Sequence, residues 1–260
     1  MVPVEHLAFA HELADRAGEV LRRHYRTPIS VDYKADESPV TIADREAERV
    51  MRDLIRARFP KHGIEGEEFA SEHGEAELVW NLDPIDGTKA FLAGRPTFGT
   101  LISLLRQGTP VLGLIDQCIS HERWVGVRGA PSTFNGAPMR TRTCPDLAHA
   151  LLATTSPQMF HSADEQAAFA RVARAARITV YGGDCYAYGL LAMGSIDLIV
   201  EADLDVHDFM ALVPVIEGAG GVVTDWHGDA MTPSSDGRIV AAGDRGVHER
   251  ALKLLALTSH

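Results

Sequence analysis

The chain has 260 residues, enough for one large domain or two small ones around a substantial core. Its 25 Lys and Arg against 36 Asp and Glu give a net charge of −11, which argues against nucleic acid or an anionic membrane surface as the main partner. Hydrophobic residues make up 45% and charged residues 23%, as in ordinary soluble proteins, and no apolar run approaches the ~18 residues of a membrane span.

Cys118, Cys144 and Cys185 form no C-x-x-C pair, so neither a disulfide framework nor a cysteine zinc site is expected, which fits a reducing cytoplasm. The twelve histidines make no H-x-H or H-E-x-x-H pattern. The first twenty residues carry acids and histidines where a signal peptide needs an unbroken apolar core.

In chain order, residues 4–25 space Leu7, Leu13, Ala17 and Leu21 as one face of a helix. A polar loop, "KADESPVTIAD" at 34–44, leads into a second helix that runs to about Phe59. Thr41 and Asp44 resemble a capping box with Asp in the usual Glu position. Lys34 in that loop reads as solvated. "HGIEGEE" and "LVWNLD" read as strands that end in acids. Three strands follow between Phe98 and Val127, and Asn135-Gly136 signals a tight turn. Beyond about residue 145, strands at 150–155, 178–181, 196–201, 221–225 and 238–242 alternate with helices at 164–176, 185–193, 206–219 and 246–257. That alternation means α/β layering. Two closely packed parts are expected, 1–145 and 146–260.

Acids recur where apolar elements end: Asp44, Glu67-Glu68, Asp83, Asp86 and Asp208. Pro84 biases Asp83 towards an extended conformation and the chain turns at Gly87, which can bring both carboxylates and the Ile85 carbonyl towards one point. Two carboxylates that close repel unless a proton or cation lies between them. An all-oxygen ligand set suits Mg²⁺ better than zinc. Alone, "DPIDGT" divides evenly between a helix-capping turn and a metal site. Gly87-Thr88 opens a short helix, where free N–H groups favour phosphate. Carboxylates beside such a cradle suit phosphoryl transfer to water.

"SPVTIADREAE" (38–48), "GEEF" (66–69), "LDPIDGTKAF" (82–91) and His207-Asp208, in that order, resemble the inositol monophosphatase superfamily of Mg²⁺-dependent, lithium-sensitive phosphomonoesterases. The resemblance implies a five-layer α-β-α-β-α sandwich, usually a homodimer. It implies two or three Mg²⁺ held by Glu67, Asp83, the Ile85 carbonyl, Asp86 and Asp208. It implies that Gly87 and Thr88 hold the phosphate through backbone N–H groups. Asp44 and Thr88, with Glu67, would orient and deprotonate the attacking water. Two positions depart from the commonest pattern: Ala90 stands where Asn is usual, and His207 where Trp is usual.

"DGTKAFLAGRPTFGTLISLL" (86–105), "YGGDCYAYGLLAMGSIDLIVEADL" (181–204) and "HDFMALVPVIEGAGG" (207–221) look like the histidinol-phosphate phosphatase branch. The reaction implied is hydrolysis of L-histidinol phosphate to L-histidinol and phosphate, in histidine biosynthesis. That substrate carries an ammonium and an imidazole, so its pocket should offer carboxylates away from the metals. Asp184, after Gly182-Gly183, and Glu201, seven residues before Asp208, are the candidates, with Gly183 beside them. Asp184 is equally placed to cap the helix at 185–193. Tyr181, Tyr186 and Tyr188 are candidates for the pocket wall or the core. The alternatives are inositol phosphates, fructose 1,6-bisphosphate or 3′-phosphoadenosine phosphates as substrate, or a non-catalytic regulator that binds metal.

Overall fold

The computed structural model describes residues 3–33 and 39–256. Lys34 and its loop lie outside the described residues. α1 (Val4–His24) is followed by β1 (Val31–Tyr33), which pairs antiparallel with β2 (Pro39–Thr41). This small hairpin occupies a segment whose polar composition reads as loop. α2 (Ile42–Arg58) begins at the predicted box: Thr41 Oγ1 accepts from the Ala43 N–H, and Asp44 accepts from the Thr41 N–H. The apolar faces of α1 and α2, including Leu13, Ala17, Met51 and Ile55, are buried against one side of a seven-stranded sheet.

That sheet runs in chain order: β3 (Gly63–Gly66), β4 (Leu78–Asp86), β5 (Gly99–Arg106), β6 (Thr109–Gln117), β7 (Glu122–Val127), β8 (Thr133–Phe134) and β9 (Ala137–Pro138). β3 is parallel to β4 and the remaining pairs are antiparallel. α3 (Thr88–Leu92) lies between β4 and β5. Asn135 and Gly136 both take positive φ, 47° and 81°, as the β8–β9 turn requires. β4 is covered on both faces, which explains its continuous apolar run. Its pairing with β5 breaks between Asp83 and Asp86. Pro84 has no N–H to give the ladder, so the sheet opens where the two acids stand.

The second sheet has the order β11-β10-β12-β14-β13, from β10 (Leu151–Thr154), β11 (Ile178–Tyr181), β12 (Leu198–Glu201), β13 (Val222–Thr224) and β14 (Ile239–Ala242). Its first three strands are parallel. α4 (Ala163–Ala175) and α8 (Arg245–Leu255) cover its outer face through Phe169, Val172, Val247 and Ala251. α5 (Asp184–Ala192), α6 (Val206–Phe209) and α7 (Leu212–Gly218) fill the space between the sheets. There Leu191, Val215 and Ile216 join Leu101 and Ile115 from one sheet to Ile199 and Ala241 from the other. The result is the five-layer α-β-α-β-α sandwich expected. The helix expected over 206–219 is two helices. Pro214 cannot donate to the carbonyl of Met210, and its ring crowds that carbonyl, so the chain turns between α6 and α7.

Candidate active site

The end of β4, the starts of α5 and α6 and the loop after β3 meet at one crevice. Asp83, Asp86 and Asp208 each bring a carboxylate oxygen there, all within 4.8 Å of one another. The local chain holds each in place. Asp83 Oδ1 accepts from the Ile85 N–H at 2.9 Å, and Asp86 Oδ2 accepts from the Cys185 N–H. Asp208 Oδ2 accepts from the Asp205 N–H at 2.7 Å, closing a second Asp-based capping box. The Thr100 hydroxyl donates to the Pro84 carbonyl and fixes the turn between the two β4 acids.

These carboxyls have lost water to burial, and His207 Nε2 lies 3.6 Å from Asp208 Oδ1. Burial, and then the charges of Glu67, Asp86 and Asp208, push Asp83 well above the carboxylate range. Burial and the nearby Asp184 and Asp208 do the same to Asp86. Asp208 is pushed up to about 8, mainly by burial. The Glu67 carboxylate lies close enough for its charge to raise both Asp83 and Asp44. Carboxyls gathered in this way need a proton or a cation between them. The donors are all oxygen and close together on rigid backbone, so they fit a divalent cation of the Mg²⁺ type.

The Ile85 carbonyl accepts from Thr88 Oγ1 at 3.1 Å, which leaves it a second lone pair. The Thr88 hydroxyl therefore points to Ile85 and not to Asp44, the partner expected from the sequence. Asp44 Oδ2 is taken by the Thr41 N–H and hydroxyl, at 2.8 and 2.6 Å. Asp44 Oδ1 is buried and has no hydrogen-bond partner among the described residues. Burial, with Glu67 adding to it, raises this carboxyl to about 6 against the pull of Thr41.

Gly87 takes a φ of 83°, and α3 opens immediately after it at Thr88. A Cβ on Gly87 would lie 2.7 Å from the Asp184 carboxyl carbon, so no larger residue fits there. Asp184 does not cap α5. The helix starts at Asp184 itself, Gly183 takes the cap position without a side-chain bond, and Asp184 has a φ of 45°. Its carboxylate leans over Gly87, with a 3.4 Å contact from the Thr97 hydroxyl. Burial raises its pKa, while Arg95 and Lys89 pull the other way. Arg95 also donates to the Gly182 carbonyl at 2.8 Å.

Glu201 lines the same cleft with Thr155, Met159, Tyr188 and Leu204. It is more withdrawn than its sequence position suggests. Its exposure is 2%, and its oxygens accept from the Thr155 N–H at 2.6 Å and the Tyr188 hydroxyl at 2.7 Å. Burial still lifts it to about 7. Asp184 is thus the more available of the two proposed substrate acids. Thr155, Thr97 and Met159 carry no sequence motif. Thr155 follows the carboxyl end of β10, a place where α/β sheets form crevices, and that position is the signal that could have found it. A larger cavity of about 530 Å³ lies elsewhere, beside α1, β6 and β7. Its Asp15 and Asp116 are already paired with Arg123, so it offers no comparable ligand cluster.

The fold and this carboxylate cluster define a metal-dependent phosphatase, and the comparisons agree. The sequence model described as "Inositol monophosphatase family" matches residues 3–259, so the chain belongs to the inositol monophosphatase family, whose members use Mg²⁺. The chloroplastic bifunctional phosphatase IMPL2 of Arabidopsis thaliana is 48% identical over 95% of this chain and 74% of its own length. A histidinol-phosphatase of Chlorobaculum parvum is 32% identical over 92% of this chain and 93% of its own. An inositol monophosphatase structure from Zymomonas mobilis superposes with a TM-score of 0.89 at 49% identity, covering 97% of this chain and 98% of that one.

Proposed function

We propose that this chain is a Mg²⁺-dependent histidinol-phosphatase that hydrolyses L-histidinol phosphate to L-histidinol and phosphate. The observation that carries the substrate is Asp184. An acid occupies a strained backbone position directly over Gly87 and lines the same cleft as Asp86 and Asp208. An ester with a cationic end has a use for that charge, and an uncharged polyol does not. The similarity to the histidinol-phosphatase of C. parvum supports the same reading.

Asp83, Asp86, Asp208 and Glu67, with the free lone pair of the Ile85 carbonyl, hold the cation site. When bound there, Mg²⁺ supplies a Lewis acid for the phosphoryl oxygens and lowers the pKa of water. The turn at Gly87 and Thr88 presents backbone N–H groups to the phosphate. Asp44 Oδ1 is the acceptor for the proton of the attacking water; at about 6 its carboxyl is mostly ionised at neutral pH. Thr88 orients that water through its hydroxyl lone pairs, while its hydroxyl proton is donated to the Ile85 carbonyl. Asp184 and the backbone at Gly183 receive the ammonium end, and Glu201 stiffens the wall behind them. Among the described residues no helix is long and apolar enough to cross a membrane. A cytoplasmic homodimer is our reading of the assembly. The half-exposed Ile178, Val180 and Tyr181 on edge strand β11 support it.

The same-cleft alternative is an inositol phosphate, which the Zymomonas relative's name favours. The test is a chelation and mutation series. EDTA should abolish phosphate release from histidinol phosphate and Mg²⁺ should restore it. Asp184→Asn should raise KM for that ester about tenfold, and leave inositol 1-phosphate hydrolysis within about twofold. Equal effects on both esters would remove Asp184 as the cation acceptor.

A further inference from the structure

Glu67 stands on a stretch with little regular structure. β3 ends at Gly66, and β4 begins twelve residues later at Leu78. An isolated bridge between Ile64 and Glu72 folds the intervening chain back. Arg56 at the end of α2 bonds the Glu72 carboxylate at 2.6 Å, and two buried charges on the same helix hold the backbone of the loop. Glu48 has an exposure of 0% and Arg52 of 2%, and they are joined Oε1 to Nε at 2.7 Å. Glu48 Oε2 accepts from the Glu68 N–H at 2.8 Å. Arg52 Nη2 donates to the Phe69 carbonyl at 2.8 Å. Its Nη1 donates to the Ala70 carbonyl at 3.0 Å and to Glu72 Oε1 at 2.9 Å. On the other side of Glu67, a Cβ on Gly66 would lie 2.2 Å from Glu48 Oε1, so the backbone there rests on that carboxylate.

We propose that Glu48 and Arg52 are positioning residues that hold the Glu67 loop in register with the metal carboxylates. The pair grips the chain at 66, 68, 69, 70 and 72, on both sides of Glu67. It also ties that loop to the proton acceptor. Asp44, Glu48 and Arg52 recur at intervals of four along one stripe of α2, so the helix that carries Asp44 also sets the height of Glu67. A buried ion pair is a costly way to stabilise a fold, and well-packed apolar residues often do as well. A planar fork that reaches two carbonyls and a carboxylate does what apolar residues cannot: it fixes backbone direction. Partners behind a metal ligand commonly govern affinity by 10- to 100-fold.

This inference rests on the reading of Glu67 as a cation ligand, and its test separates the two. Mg²⁺ binding is measured calorimetrically on the full chain without substrate, beside the melting temperature. Arg52→Lys keeps the charge and the link to Glu48 but loses the fork to Phe69 and Ala70. It should fold and bind Mg²⁺ about tenfold more weakly. The apolar pair Glu48→Leu with Arg52→Met should regain the melting temperature and still bind weakly. Activity should show the same split, with a higher Mg²⁺ requirement and little change in KM for the ester at saturating Mg²⁺. Wild-type Mg²⁺ affinity in either variant that folds would overturn the positioning role. A wild-type chain that takes up no Mg²⁺ would overturn the cation site as well. Mg²⁺ uptake without hydrolysis of any phosphate ester would overturn the proposed function and leave the positioning result readable.

Discussion

Three aspartates that would repel one another in an empty crevice make opposite demands on stability and on activity. Their folded-state pKa values are raised, so they favour the folded protein at a pH below the unfolded carboxylate value, and that contribution is lost as pH rises through the folded values. In metal-free protein, Asp83→Asn should therefore raise the melting temperature at pH 8, and in the same variant kcat/KM should fall by about 10³-fold. A metal-free melting temperature below wild type would show that Asp83 has a structural partner instead. Protons also compete with the cation. The gain in melting temperature from saturating Mg²⁺ should be large at pH 8 and shrink steadily towards pH 5, and a gain that does not change with pH would count against this carboxylate set. These acids were legible in the sequence because each ends an apolar run, where a lone charge is costly. Glu48 and Arg52 were not, since charges on a helix usually mark its solvated face. The withdrawal of Glu201 depends on its contacts with Thr155 and Tyr188, which no local pattern carries, whereas the Thr88 hydroxyl is turned by a local bond to the Ile85 carbonyl three residues earlier.

At the scale of elements, the crevice depends on α7 lying close to the large sheet. A Cβ at Gly113 on β6 would lie 2.0 Å from the Ala211 carbonyl oxygen, and one at Gly126 on β7 would lie 2.2 Å from the Pro214 backbone. Backbone on both sides leaves nothing flexible to yield. Gly113→Ala or Gly126→Ala should cost about 3 kcal/mol in urea unfolding. A loss below about 0.5 kcal/mol at both positions would mean that the helix can lift without consequence. Helices and strands with strong periodicity, such as α1, α2 and β5 to β7, follow from the sequence. The break between α6 and α7 needed closer attention to Pro214, because apolar spacing runs through it unbroken. The β1–β2 hairpin draws on a segment whose polar composition hides its pairing.

For the whole molecule, acid should weaken the fold through histidines that burial keeps neutral. His6 packs edge-on to Phe59, His62 and Trp80, and His62 accepts from the Trp80 indole N–H. Burial lowers the pKa of both, and of His248, below 6.5. A lowered histidine leaves stability intact above the unfolded value and removes it as pH falls from there towards the folded value. The melting temperature of the Mg²⁺-loaded protein should drop below about pH 6.5, and His6→Phe should flatten that limb. The five-layer arrangement brings Asp83 and Asp86 from β4, Asp208 from α6 and Asp184 from α5 to a shared crevice. The claim at the centre of this account is that such a crevice selects a phosphate ester with a cationic end. The direct measurement is kcat/KM for L-histidinol phosphate against inositol 1-phosphate, on the same enzyme with saturating Mg²⁺. We predict a ratio of at least about 10² in favour of histidinol phosphate. A ratio of one or less would contradict it.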